Sequence, residues 1–128
     1  MADGSRVLLL AACRPGPNGR GIADPHPLAF ILLRNPVREN AKETFAYFRD
    51  QGVTIKVISG DNPVTVAAAA REAGIEGADK YVDASTLTTE AEVAAACETY
   101  NVFGRVKPNQ KKQLIQALQS KKHTVAMT

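Results

Sequence analysis

Cysteine occurs only twice in the 128 residues, as Cys13 and Cys97, and histidine only twice, as His26 and His123. The cysteines make no CxxC pair, and no Cys or His stands at ligand spacing from another. That excludes a zinc-stapled fold, leaves no metal ligand set to expect and points to a reducing environment. Long apolar runs are missing too. VLLLAAC (7–13) and LAFILL (28–33) fall well short of the ~20 residues that cross a bilayer, so this segment is not expected to insert into a membrane. No leader peptide is expected either, because the first six residues run straight into a strand-like stretch. Apolar residues at 45% and charged residues at 23% are ordinary for a globular chain and exclude the disordered and fibrous classes. The length fits one domain, or a domain with a piece of another.

Acid is absent after Glu98, where six bases follow, whereas residues 72–98 hold seven acids and one base. In a chain of net charge +3 this asymmetry marks either an anionic partner near the C-terminal third or a solvated lysine face. Stacking aromatics are scarce among these cations, with only Tyr100 and Phe103 nearby. That weighs against nucleic acid as the partner.

Two apolar stretches, VLLLAAC and PLAFILL, read as short buried strands of an antiparallel hairpin joined by the Pro- and Gly-rich connector RPGPNGRGIADPH. From residue 38 onward strand and helix alternate. A helix over 38–51 carries Ala41, Phe45 and Phe48 on its buried stripe and ends at Gly52. VTIKVIS (53–59) follows as a strand. A second helix starts after Asp61 or Asn62 as cap, with Pro63 in its first position, and stops at Gly74. Tyr81–Val82 is a short strand. Residues 87–100 form a helix capped by Thr88 or Thr89, with Val93 and Cys97 inward. NVFG (101–104) is a strand, PNQKKQLIQALQSKK a fourth helix and HTVAM (123–127) a last strand. Such alternation defines an α/β fold, a largely parallel sheet with helices on its faces, whose ligands gather at the carboxyl ends of the strands.

Two places there could carry chemistry. Ser59-Gly60-Asp61 follows a strand and opens a helix, which supplies a hydroxyl and free backbone N–H groups to an anion. The same residues also suit an ordinary strand-to-helix turn with Asp61 as cap. On the helix from Pro108, Lys111 shares its stripe with Leu114, Ile115 and Leu118 and is expected to lean toward the sheet. Cations near a helix N-terminus cost roughly 0.3–1 kcal/mol each, and desolvation would add to that. Either an anion between Ser59 and Lys111 resolves the conflict, or Lys111 reaches solvent along its methylenes. Arg105, between strand and helix, is open in the same way.

NPVREN, ISGDNPVTV and FGRVKPNQKKQLIQAL, in this order along the chain, resemble the phosphorylation-domain motifs of P-type cation-transporting ATPases of the haloacid-dehalogenase-like superfamily. The similarity covers nearly the whole chain. It implies a Rossmann-like haloacid-dehalogenase-type parallel sheet, incomplete here, over residues 36–128. The hairpin over 1–35 would be the end of a nucleotide-binding domain. By the resemblance Ser59 hydrogen-bonds the transferred phosphoryl group, and Lys111 neutralises the attacked carboxylate and the phosphoryl oxygens, making these two the catalytic candidates. Gly60, Asp61, Arg105 and Arg38 are the phosphate- and nucleotide-binding candidates. ATP and Mg²⁺ are the implied cofactors. The implied partners are ATP or phosphate and the nucleotide-binding, actuator and transmembrane regions of a parent pump. The parent would lie in the cell membrane with this segment on the cytoplasmic side.

Departures accompany the match. Asn35 stands where the hinge motif DPxR has Asp, and Ser59 where Thr is commoner. DKTGT, whose Asp is phosphorylated, is absent, and so is the magnesium motif GDGxND. The chain is therefore expected to be a catalytically incomplete piece of a pump, with sheet edges that could pair between molecules. A free-standing phosphatase of the superfamily would need a DxD motif after an early strand, whereas Asp3, Asp24 and Asp50 sit in expected loops or at a helix end.

Overall fold

The computed structural model describes residues 6–34 and 36–128; Asn35 and Asp3 lie outside them. The described residues divide into two compact units, one of residues 6–34 with Pro36 and the other Val37–Thr128.

The first unit is a two-stranded antiparallel ribbon of β1 (Arg6–Pro15) and β2 (Ile22–Leu33). Arg6 stands opposite Leu33 and Pro15 opposite Ile22, with register shifts near Ala11 and Cys13. The strands run further than the apolar stretches predict, and the long connector shrinks to a turn around a 3-10 segment at Pro17–Gly19. Asp24 thus lies within β2, at a φ of 47°. Both strands are edges, so the prolines of β2 interrupt no interior ladder. The expectation of buried strands fails. Leu9 is 57% exposed, Leu28 64% and Phe30 69%, because a ribbon of two strands has two faces and nothing else in this unit to cover either.

The second unit follows the predicted alternation. Its elements are α1 (Ala41–Asp50), β3 (Val57–Ile58), α2 (Pro63–Glu72), β4 (Tyr81–Asp83), α3 (Glu90–Thr99), β5 (Val102–Gly104) and α4 (Pro108–Ser120). The sheet is parallel, with β5 between β3 and β4. Core side chains sit on both of its faces. On one, Val66, Ala67 and Ala70 of α2 pack with Val102, joined by half-buried Val37, Ala41 and Phe45. On the other, Val93, Ala96 and Cys97 of α3 enclose Phe103 and Leu114. Ala41 and Phe45 therefore hold their expected places, but Phe48 is 41% exposed and rests edge-on against Tyr47.

Most termini are cut where local chemistry predicts. Gly52 and Gly74 close α1 and α2 in the left-handed region. Thr89 caps α3, its hydroxyl accepting from Glu92 N while Glu92 Oε2 accepts from Thr89 N, a reciprocal capping box. The final strand is not formed. Lys122, at a φ of 64°, ends α4 with His123 N donating to Leu118 O and Lys122 N to Gln119 O, and residues 123–127 then pair with no strand among the described residues. The strand over 53–59 likewise contracts to Val57–Ile58, where β5 offers its partner groups. No helix among the described residues is long and apolar enough to cross a membrane.

Candidate functional site

The carboxyl ends of β3, β5 and β4 bring three turns together. Ile58 pairs with Phe103, and Ser59 N continues the ladder by donating to Phe103 O at 3.0 Å. Beyond the last paired residues the turns bond to each other. Val106 N donates to Ser59 O at 3.0 Å and Arg105 N to Asp61 O at 2.7 Å. Segments far apart in sequence, Ser59–Asp61 and Arg105–Val106, are thereby fixed side by side.

The approach is close because residue 104 is glycine. A Cβ on Gly104 would run into the backbone of Pro63 at the start of α2, so β5 can pass under that helix only without a side chain there. Sequence reading missed this role; the glycine ending a strand-like run just before a Pro-started helix was its only signal. Gly60 differs. Its φ is not left-handed, and an added Cβ would meet only Val106 O, at 3.9 Å. Nothing in the protein itself requires glycine at 60.

Asn62, not Asp61, caps α2, its Oδ1 accepting from Val64 N at 2.9 Å. The ordinary-turn reading that gave Asp61 the cap is thereby corrected. Asp61 N instead donates to Ser59 Oγ at 3.2 Å. Ser59 is half-buried, and its hydroxyl hydrogen meets no acceptor among the described residues, so it can donate to an oxyanion.

Arg105 is held from two directions. Its backbone lies at a φ of 51°, a conformation that costs a non-glycine residue on the order of 1 kcal/mol. Its Nη1 reaches Asp83 Oδ2, at the end of β4, at 2.6 Å. The other oxygen of Asp83 accepts from Ser85 Oγ at 2.6 Å and Ser85 N at 3.0 Å. The Ser85 hydroxyl, then its amide and the Arg105 guanidinium, keep the Asp83 carboxyl below the ordinary carboxylate range. Sequence reading missed Asp83, although an acid ending a strand with Ser two residues on is a turn signature.

Lys111 is corrected in orientation. It is exposed and does not lean toward the sheet. The face of α4 that meets the fold runs through Gln110 and Leu114. Gln110 Nε2 donates to Ala84 O at 2.6 Å and to Leu87 O at 3.1 Å, and Leu114 is 1% exposed. Lys111, one position on, borders an open groove of about 460 Å³ with Pro108, Lys112, Ile115, Gln119 and Met127. Desolvation is therefore no part of its electrostatics. The dipole conflict stays: the first turn of α4 holds no acid, and Lys107 stands at the cap with no acceptor to offer. Arg38 lies before α1, where its carbonyl accepts from Ala41 N. Its exposed side chain enters none of the hydrogen bonds joining the turns.

A cavity of about 420 Å³ lies at the opposite, amino end of the sheet, lined among others by Phe45, Arg49, Gly52, Gly77, Lys80 and Asn101. It contains none of the predicted site residues. Among the described residues no group of three His, Cys, Asp or Glu could hold a metal, and Asp83 is committed to Ser85 and Arg105. The described side chains do not by themselves fit Mg²⁺.

A parallel sheet with hydroxyl, amide and guanidinium groups at its carboxyl ends is of the α/β class, and its chemistry suits an anion; the chain belongs to the haloacid dehalogenase-like hydrolases, whose family description matches residues 6–128. Within curated proteins it is similar to cation pumps. It is 46% identical over 98% of its length to a probable cation-transporting ATPase, exp7, of Streptococcus pneumoniae. It is 45% identical over 99% to the calcium-transporting ATPase CtpE of Mycobacterium bovis, and 36% identical over 97% to the magnesium-transporting ATPase, P-type 1, of Salmonella typhimurium. The resemblance read from the three motifs is borne out. The chain spans 16% of the length of the first two relatives and 14% of the third.

Proposed function

We propose that this chain is part of the cytoplasmic catalytic region of a P-type cation-transporting ATPase, the part that grips the transferred phosphoryl group. In this reading residues up to Asn35 belong to the nucleotide-binding domain and residues 36–128 to the phosphorylation domain. ATP phosphorylates an aspartate outside this sequence. The Ser59 hydroxyl donates to a phosphoryl oxygen, Gly60 lets the group approach the backbone, and Asp61 and Arg105 border the nucleotide. The Lys111 ammonium offsets the charge that spreads over the oxygens. Phosphoryl transfer needs such fixed charge more than covalent help. The observation that carries the reading is the pair of hydrogen bonds from Arg105 N and Val106 N to Asp61 O and Ser59 O, which joins two family motifs at one end of the sheet. Arg38 and Lys111 have the least support, since neither side chain takes part in that junction.

Titrating the chain with a phosphate analogue while following backbone and side-chain NMR signals tests this. Ser59, Gly60 and Lys111 should shift together, and the isolated chain should hydrolyse no ATP. Shifts confined to the amino-end cavity, or turnover that Lys111→Ala abolishes, would show the reading wrong.

A further inference from the structure

We infer that Asp83 is a positioning residue for Arg105, aiming its guanidinium across the carboxyl end of the sheet toward the anion held by the Ser59 turn. The inference rests on the reading of that site just proposed. Its own observations are separate. The Arg105 backbone is pinned by its N–H on Asp61 O and sits at a φ of 51°, where Gly or Asn would sit more easily. That sets where the side chain starts, and its partner places its guanidinium end. It meets Asp83, which cannot swing away because Ser85 holds its other oxygen through two hydrogen bonds.

Only Nη1 of the guanidinium is engaged by Asp83, and the Arg105 side chain is 52% exposed against 24% for Asp83. The remaining N–H donors have no acceptor among the described residues, and a guanidinium presents them in a rigid fork suited to phosphate oxygens. An ion pair this exposed adds little to folding. A strained cation with a tethered partner, beside a hydroxyl whose hydrogen is available, serves a ligand better than it serves the fold.

The alternative is that Asp83 competes with the anion for Arg105, and the two roles predict opposite signs. ATP binding to the chain would be measured for Asp83→Ala, Asp83→Asn, Arg105→Ala and the double Ala variant, with the Arg105 side-chain NMR signals recorded alongside. Positioning predicts several-fold weaker binding in Asp83→Ala and partial recovery in Asp83→Asn, whose amide oxygen still accepts from Arg105. It also predicts a double variant no weaker than Arg105→Ala alone. Asp83 lies at the surface, so these variants should fold, and Asp83→Asn guards against the case where the alanine does not. Tighter binding in Asp83→Ala, or additive losses, overturns the inference and leaves the site standing. Unchanged binding in Arg105→Ala overturns both.

Discussion

Both ends of the three-stranded sheet are rich in polar groups, yet they use them differently. At the amino end the protein closes on itself. Lys56 Nζ donates to Tyr100 O at 2.9 Å and to Asn101 Oδ1 at 3.2 Å, and Asn101 Nδ2 donates to Glu76 O at 3.1 Å. At the carboxyl end the backbone groups pair with each other, whereas the Ser59 hydroxyl hydrogen and the other guanidinium donors of Arg105 meet no acceptor among the described residues. A concavity of this sheet lies at the closed end. Chemistry and concavity part ways here, because a phosphate needs aimed donors more than it needs a deep hole.

Two glycines on the carboxyl side sharpen the contrast. Gly104→Ala drives a methyl group into the backbone of Pro63 and should cost about 3 kcal/mol or more, read as a fall in the thermal midpoint of more than about 10 °C. Gly60→Ala meets nothing closer than 3.9 Å and should alter stability by less than about 1 kcal/mol, yet weaken ATP binding. If Gly60→Ala binds ATP as tightly as the parent chain, the carboxyl end is as self-contained as the amino end, and the comparison breaks.

At the amino end the larger effect should fall on stability alone. Lys56→Met keeps the methylene stem but strands two acceptors, at a cost of about 1–2 kcal/mol, with ATP binding unchanged. Burial holds the Lys56 ammonium below the ordinary lysine value of 10.5. In the window below 10.5 the unfolded chain therefore binds more protons, and stability rises with pH. Cys97, whose thiol burial pushes up, acts in the opposite direction in the alkaline range, and because the two charges act on each other the difference between parent and variant reports the pair. Denaturant midpoints across that range check it.

How much of this was legible in the sequence follows from the range of the forces involved. Caps are local, and Asn62-Pro63, Thr89, Gly52 and Gly74 were readable because each satisfies or ends a helix with its own atoms. Val93 and Cys97 were readable from helical spacing. The hairpin was not, since alternation of residue types cannot report whether anything covers a face. HTVAM has strand composition, but a strand exists only where a neighbour offers its edge. Lys111 was misplaced by a single step of about 100° around the helix, because the buried line is set by Gln110 reaching Ala84 and Leu87. Of the site, the Ser59 turn and Arg105 were recognisable as motifs. The Asp83 contact depends on β4 lying beside β5, which no local pattern states.

The smallest expected effect bears on how firmly the carboxyl end is set. Asp83 titrates below the ordinary carboxylate value chiefly because the Ser85 hydroxyl bonds it. A carboxyl depressed in the folded state gives stability that is fully present above the unfolded value of about 3.8 and is lost as pH falls through the folded one. Ser85→Ala should move the Asp83 carboxyl signal, followed by NMR from neutral to acid pH, toward 3.8, with little change in stability at neutral pH. It should also loosen the aim of Arg105, seen as faster averaging of its guanidinium signals. A titration that does not move would mean that Arg105 alone sets the charge of Asp83. The carboxyl end would then rest on one exposed ion pair, far less firmly fixed than the lysine clamp at the other end.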